Sequence, residues 1–311
     1  MISLKEVSAK LRCILVESKS RGAVDGIEGL VHKVMANGAA IPVIGFGTWT
    51  LKGEVCSELV ADALSLGYRH LDTAAYYDNE SAVGEGLRFS GVPRDDVFVT
   101  TKVRETDIAQ GELERSAEAS LKRLGLDIVD LLLIHWPNPA IPLAESITAL
   151  NAVRDSGMAR HIGVSNFPSK MLAEAVRLSD APLVANQVEY HPYLDQTKVH
   201  AACRAAGIGM VAYCPLARGG ALFKEAAIED AAKRHGKSPA QIVLRWHVQQ
   251  EGVVAIPRAE RKDWVAENID LFGFELSCED MTAISRLRSR NYRIHDFNSL
   301  QPDSLQWDTP A

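Results

Sequence analysis

Short apolar runs and amphipathic stretches alternate along the chain from residue 34 onward, and the spacing of apolar positions changes with each switch. Val34-Met35-Ala36 and Ala40-Ile41-Pro42 flank Asn37-Gly38, a dipeptide that supplies the positive φ angles of a two-residue hairpin. A long first strand is predicted over 41–49, then a helix over 55–66 stopped by Gly67. Strand 70–74 precedes helix 79–89. The β-branched run 97–103 precedes helix 110–124, whose outer face carries Glu112, Glu114, Arg115 and Lys122. The fourth strand, 129–136, contains Leu131-Leu132-Leu133-Ile134, a continuous apolar run of the kind found where helices cover both faces of a sheet. The alternation continues with helix 143–155, strand 161–165, helix 169–178, strand 183–190, helix 196–206 and strand 209–213. Two helices follow over 224–235 and 239–250, the second with Ser238 as its cap and Pro239 at its first position. Strand 253–256, helix 263–271 and a last helix over 281–288 complete the pattern before a tail with little periodicity.

Eight strand–helix units joined by short loops imply a parallel sheet that closes on itself. A doubly wound sheet also alternates, so the placement of polar residues decides between them. Asp72, Lys102, His135, Asn166 and Gln187 fall at or near the C-terminal ends of successive strands, which in a barrel converge on one mouth. Five such residues at one level are hard to explain as core filling. The predicted fold is therefore α/β, a single (β/α)8 TIM barrel with an N-terminal β-hairpin and a C-terminal tail that contributes to the substrate site. A length of 311 residues allows about two domains. The repeat instead assigns 31–311 to one barrel with its tail and leaves 1–30 as an N-terminal extension.

Composition narrows the class without adding chemistry. With 47% apolar and 24% charged residues, the chain is an ordinary globular protein, and disordered or fibrous readings are excluded. A net charge of −6 and a pI of about 5.9 give no overall attraction for nucleic acid or anionic membranes. No apolar run approaches the ~20 residues of a membrane span. The stretch Cys13-Ile14-Leu15-Val16 is too short and too polar in context for a secretory signal. The five cysteines are scattered and lack CxxC spacing, so thiols in a reducing cytoplasm are expected.

Several chemistries fail on spacing. Gly45-Phe46-Gly47 opens like a dinucleotide fingerprint but has Thr50 where the last glycine belongs. Gly163-Val164-Ser165-Asn166-Phe167 lacks the final glycine of a nucleophile elbow. As a zinc ligand, His135 would need His70 and His191, and no local spacing supports that set, so no metal is expected. What remains is a proton-transfer set. The ammonium of Lys102 would favour a tyrosinate and lower the phenol of Tyr77 from its ordinary value of about 10. Asp72 would keep Lys102 charged inside an apolar barrel. Such a tyrosine can protonate a carbonyl oxygen as hydride reaches the carbon, with His135 donating a hydrogen bond to the same oxygen. Singly, each residue has a plainer reading: Asp72 as a cap, Tyr77 as packing, Lys102 as a surface residue, His135 as a core histidine. Their shared position on neighbouring strands weakens all four.

From Val34 to the tail the sequence resembles the aldo-keto reductases. The carrying segments are Gly45-Phe46-Gly47-Thr48-Trp49, the run from Gly67 to Glu80, Thr101-Lys102, Leu133-Ile134-His135-Trp136-Pro137, Ile162-Gly163-Val164-Ser165-Asn166-Phe167, Asn186-Gln187 and Ile256-Pro257. The compact loops and the ending Asn291-Tyr292-Arg293 and Gln306-Trp307-Asp308 look most like the bacterial reductases of 2,5-diketo-gluconic acid and methylglyoxal. The resemblance implies reversible NAD(P)H-dependent carbonyl reduction, an oxidoreductase acting on CH–OH groups, with the family's tetrad on Asp72, Tyr77, Lys102 and His135. It settles Tyr77 over Tyr76, because the family tyrosine lies five residues after the aspartate. It further implies cofactor contacts from Gly47, Thr48, Trp49, Asp72, Ser165, Asn166, Gln187, Tyr213 (stacked on the nicotinamide), Leu216, Ile256, Pro257, Arg258 and Arg261. Glu267 and Asn268 would meet the adenine.

Two segments depart from the common pattern. Cys214 stands where Ser is usual, and Arg258, Ala259 and Trp264 replace a Lys-Ser pair and a later arginine. Arg258, Arg261 and Lys262 still form a basic fork suited to a 2′-phosphate, opposed by Glu260. NADPH is therefore the expected cofactor, with some use of NADH. Trp49, Tyr76, Tyr77, His135 and Trp136 would line the substrate site, with the tail near Tyr292 closing one side. The expected partner is a small carbonyl compound and the expected assembly a monomer or weak homo-oligomer. A Schiff-base aldolase using Lys102 and a cofactor-sensing subunit are the competing readings.

Overall fold

The structure, a computed structural model, describes residues 32–295 and 306–311. The expected extension over 1–30 lies outside them. The chain begins with the antiparallel hairpin β1 (Lys33–Ala36) and β2 (Ala39–Pro42), turned by Asn37 and Gly38 at φ +43° and +91°. The hairpin plugs one end of the barrel. Ile41 packs with Leu131, Leu133, Val184, Val211 and Val254, and Asn37 Nδ2 donates to the carbonyls of Leu183 (2.8 Å) and Ala206 (3.0 Å).

The continuous strand expected over 41–49 does not form. β2 ends at Pro42, and the first barrel strand is only β3 (Phe46–Gly47). Between them the chain changes partner. Val43 O accepts from Ala255 N (2.9 Å), Gly45 N donates to Ala255 O (2.8 Å), and Gly47 N donates to Pro257 O (3.0 Å). One straight strand cannot pair with the hairpin and with the end of the chain at once. Gly47 is required at this seam, because a Cβ there would lie 2.7 Å from Ile256 O.

From β3 the strands follow in sequence order, each parallel to the next: β4 (His70–Asp72), β5 (Phe98–Val103), β6 (Val129–Ile134), β7 (Ala159–Ser165), β8 (Leu183–Glu189), β9 (Gly209–Tyr213) and β10 (Val253–Ala255). A parallel bridge between Ile44 and Ala255 joins the two ends of the sheet. One apolar cluster fills the interior and a larger one lies between strands and helices, the two layers expected when helices ring a parallel barrel.

The helices fall where the periodicity places them, with shifted ends: α1 (Gly53–Ser65), α2 (Glu80–Ser90), α3 (Glu112–Leu124), α4 (Leu143–Asp155), α5 (Ser169–Leu178), α6 (Thr197–Ala205), α7 (Ala226–His235), α8 (Pro239–Val248), α9 (Lys262–Ile269) and α10 (Cys278–Arg286). The last begins three residues earlier than expected because Ser277 and Asp280 form a capping box. No helix among the described residues is long and apolar enough to cross a membrane. Cys56, Cys203 and Cys214 are free thiols, whereas Cys278, also expected as a thiol, is disulfide-bonded.

Gly84 sits at a tight contact between α2 and the end of α3. A Cβ there would fall well inside van der Waals distance of Leu124 O at the end of α3, and a backbone carbonyl cannot rotate away. Gly84→Ala is expected to lower stability by about 1–3 kcal/mol. Urea midpoints read this, and an unchanged midpoint would show that α2 and α3 separate at no cost.

Candidate active site

The site is built where the strands end. Lys102, at the penultimate position of β5, has 0% side-chain exposure, and its ammonium has three acceptors: Asp72 Oδ1 at 2.6 Å, Thr73 O at 2.8 Å and Tyr77 Oη at 3.3 Å. Three N–H groups meet three oxygens, the arrangement a buried ammonium requires. Burial pulls Lys102 below its ordinary pKa, while Asp72, by charge and hydrogen bond, and then Glu80 pull it back. Glu80 is itself buried and held by Thr101 Oγ1 (2.5 Å) and Arg123 Nε (2.7 Å).

Tyr77 sits in a single 3-10 turn (Ala75–Tyr77) directly after β4. Asp78 closes the turn at φ +50°, and Lys52 Nζ pins it from outside through Tyr77 O at 2.6 Å. The expected lowering of the Tyr77 pKa is not found. Burial, then the Asp72 charge, then Cys214 raise it well above 10. The phenol is therefore held protonated. Since Lys102 donates to Tyr77 Oη, the phenolic hydrogen is left to point elsewhere. His135 stands edge-on to Tyr77, with ring centroids 5.6 Å apart. Burial, and then the charges of Lys102 and Arg104, hold its pKa well below 6.5, so it is a neutral imidazole at pH 7.

The expected cofactor residues join this group through a belt of hydrogen bonds. Gln187 Nε2 donates to Asp72 Oδ2 at 2.7 Å, a link between β8 and β4 that sequence reasoning missed. Ser165 Oγ donates to Gln187 O at 2.8 Å. Asn166, at φ +63°, donates through Nδ2 to His135 O (3.0 Å) and to Ser165 Oγ (3.1 Å), and its Oδ1 accepts from Tyr213 Oη at 2.9 Å. Gln187 Oε1 makes no hydrogen bond among the described residues, and Asn166 Oδ1 keeps a second lone pair. These acceptors beside the half-exposed Tyr213 ring suit the NH2 and the flat face of a carboxamide-bearing ring.

Other expected contacts are engaged within the protein. Thr48 is fully buried, with its hydroxyl on Asp72 O at 3.0 Å. Gly47 and Ile256 form the seam described above, and Pro257 is buried beside them. Leu216 is half-buried in the loop after β9. Glu267 accepts from Ser238 Oγ, and Asn268 is buried. The basic fork is not free cationic surface. Arg258 pairs with Glu260, Arg261 with Asp263 and Lys262 with Asp62. Arg258 also binds Trp49 O at 3.0 Å. Such exposed pairs contribute little, so a stronger anion can replace them.

The rim holds Trp49 stacked on Tyr76 (5.7 Å), both exposed, and Trp136 buried beneath. Tyr292 itself is 57% exposed, and its backbone N donates to Tyr193 O. The tail reaches the mouth through His295, edge-on to Tyr213 at 5.7 Å, and Trp307, edge-on to Trp136 at 6.1 Å. Buried Glu189 holds the first by accepting from Ile294 N and His295 N. Asp308 holds the second by accepting from Ser169 N and Oγ at the start of α5. Among the described residues no group of three His, Cys, Asp or Glu side chains is placed to hold a metal ion.

A parallel barrel with a buried ion pair, a protonated phenol and a neutral imidazole at its mouth is a barrel enzyme equipped for proton transfer. The family model described as the Aldo/keto reductase family matches residues 43–289, and the chain belongs to that family of oxidoreductases. It is 40% identical to Morphine 6-dehydrogenase of Pseudomonas putida over 269 residues (81% of this chain, 89% of that protein). It is 40% identical to 2,5-diketo-D-gluconic acid reductase B of Corynebacterium sp. over 244 residues (78% and 88%). Against Methylglyoxal reductase DkgB of Salmonella typhi the identity is 40% over 271 residues (86% and 99%). The crystal structure of a Bombyx mori aldo-keto reductase in complex with NADP superposes with a TM-score of 0.81 at 33% identity, covering 90% of this chain and 98% of that one.

His70 and His247 are buried and His135 is half-buried, and burial lowers their pKa values, to about 4 for His70 and about 3 for His247. Below the unfolded value near 6.5, the unfolded chain binds protons that the folded one refuses, so stability is full above that pH and falls as pH drops through it. Each such histidine contributes up to about 1.4 kcal/mol per pH unit. Urea midpoints at pH 7.5, 6.0 and 5.0 should decline in that order. A flat profile would contradict the burial of these rings as neutral species.

Proposed function

We propose that the protein reduces a small carbonyl compound (an aldehyde, α-keto-aldehyde, keto-sugar or keto-acid) to the alcohol with NADPH, and that Tyr77 is the proton donor. The observation that carries this reading is the contact of Lys102 with both Asp72 and Tyr77. The phenol is protonated before reaction. Once its proton leaves, the ammonium 3.3 Å from Oη stabilises the tyrosinate, and Asp72 holds the ammonium in place. His135, neutral and at the same mouth, donates a hydrogen bond to the carbonyl oxygen and orients it. When bound, NADPH supplies the hydride to the carbonyl carbon.

Gln187, Asn166, Ser165 and Tyr213 would hold the nicotinamide end. Arg258, with Arg261 at the start of α9, would take the phosphate end by giving up Glu260 and Asp263. The NADP complex of the Bombyx mori protein supports that cofactor class. The aldolase reading loses support, because a Schiff base needs an amine lone pair and the Lys102 nitrogen is surrounded by acceptors. The free thiols at Cys56, Cys203 and Cys214 point to the cytoplasm as its location, and the disulfide at Cys278 points away from it.

Tyr77→Phe should lower kcat by about 10²–10⁴, the usual worth of a positioned acid, while NADPH binding followed by fluorescence persists. A Phe variant with full turnover would remove Tyr77 from the mechanism. The ratio of kcat/KM for NADPH over NADH should exceed one and fall in Arg258→Ala. A wild-type preference for NADH would overturn the assignment of the phosphate end.

A further inference from the structure

One cation at the mouth is not used by the tetrad or by the cofactor residues. Arg104 follows β5 in extended backbone (φ −65°, ψ 150°). It lies two residues beyond Lys102 and so turns to the same side of the strand, one step nearer solvent. Its guanidinium carbon lies 5.2 Å from the centre of the Tyr76 ring, and one N–H, from Nη2, goes to Ala75 O at 3.1 Å. Tyr76 in turn is 6.2 Å from the His135 ring, and the Arg104 charge is among those that keep His135 neutral. Arg94, Arg123, Arg160, Arg258 and Arg261 all pair with carboxylates. Arg104 forms no ion pair among the described residues. Of its acidic neighbours, Asp107 accepts through Oδ1 from Thr106, and among the described residues neither Asp107 nor Glu105 forms an ion pair with Arg104.

A half-buried guanidinium with no counter-charge among the described residues, beside the imidazole that would orient a carbonyl, is matched by an anion carried on the substrate. Tyr76 fixes the plane of the guanidinium, Ala75 occupies one of its donors, and the remaining donors form a fork of the shape that binds a carboxylate through two hydrogen bonds. We propose that Arg104 selects substrates bearing a carboxylate a few carbons from the reacting carbonyl, so that within the classes named above the keto-acids and acid sugars are favoured. This rests on the carbonyl-reductase reading and adds to it a residue and a charge. A purely structural role, tying the Tyr77 turn to β5, would affect neutral and acidic substrates equally.

The test compares 4-oxobutanoate with butanal, which share an aldehyde on a four-carbon chain and differ by the carboxylate. The readout is the ratio of their kcat/KM values in wild type, Arg104→Met and Arg104→Lys. The ratio should fall about tenfold or more in Arg104→Met, mainly through KM of the acid, as expected for loss of a charged hydrogen bond. Arg104→Lys, which keeps the charge but loses the fork and the stacking on Tyr76, should give a ratio between those of wild type and Arg104→Met. A ratio in Arg104→Met within twofold of wild type overturns the proposal. If wild type oxidises NADPH with neither aldehyde, the reductase reading is what fails. Calorimetric binding of succinate then decides for Arg104: loss of binding in Arg104→Met supports its role, and equal binding in both proteins overturns it.

Discussion

The ion pair between Lys102 and Asp72, with side chains 0% and 2% exposed, is the constraint on which the rest of the mouth depends. Removing two charges from water costs several kcal/mol each, and the cost is recovered only if every remaining donor and acceptor is satisfied. The neighbours follow from that requirement. Asp72 takes Lys102 on one oxygen and Gln187 on the other, and Lys102 gives its other hydrogens to Thr73 O and Tyr77 Oη. Strands β4, β5 and β8 are thereby tied across the barrel interior, and the turn carrying Tyr77 is held at a fixed height above them. An apolar pair of similar volume would serve stability as well. Keeping the charges makes sense only if the ammonium acts on what it touches, and it touches the phenol.

The same economy extends outward. Ser165, Asn166, Gln187 and Tyr213 are linked to Asp72 and to the backbone of His135 by direct hydrogen bonds. Asn166 achieves this from left-handed backbone, which asparagine tolerates better than most residues. Residues expected to divide into catalytic and cofactor sets are one connected network. A cofactor amide bound at Gln187 would therefore act one hydrogen bond from Asp72 and two from Lys102.

Periodicity located the α-helices and the strands from His70 onward, because each helix has a solvent face and a core face that the sequence must distinguish, but not the 3-10 turn that carries Tyr77. The break in the predicted 41–49 strand was invisible for the opposite reason. Its residues from Ile41 to Gly47 carry no polar side chain, and the change of partner at Val43 depends on Ala255, more than two hundred residues away. Asp72, Lys102 and His135 stood out because a charged or polar side chain at the end of an apolar run has no packing explanation. The bond from Gln187 to Asp72, the pairing of Lys262 with Asp62 and the return of Trp307 onto Trp136 join distant segments whose local patterns carry no trace of one another. The raised pKa of Tyr77 escaped because the lysine was weighed and the desolvation was not.

The mouth thus contains two kinds of residue with different freedom to change. Replacing Asp72 leaves a buried ammonium without its counter-charge, which in a dry interior costs about 3–5 kcal/mol. The inner ring is held by folding as well as by chemistry. Trp49, Tyr76 and Arg104 form an outer group joined by stacking and by a bond to a backbone carbonyl, and Trp307 adds to the rim by packing on Trp136. Substituting one of them strands no buried charge. Such a rim can be rewritten for new substrates while the buried ion pair and the phenol beneath stay the same. Relatives of equal identity, 40%, carry names as different as a morphine dehydrogenase and a methylglyoxal reductase. That spread is what a barrel would produce if its chemistry were fixed by buried charge and its selectivity lay in groups cheap to exchange.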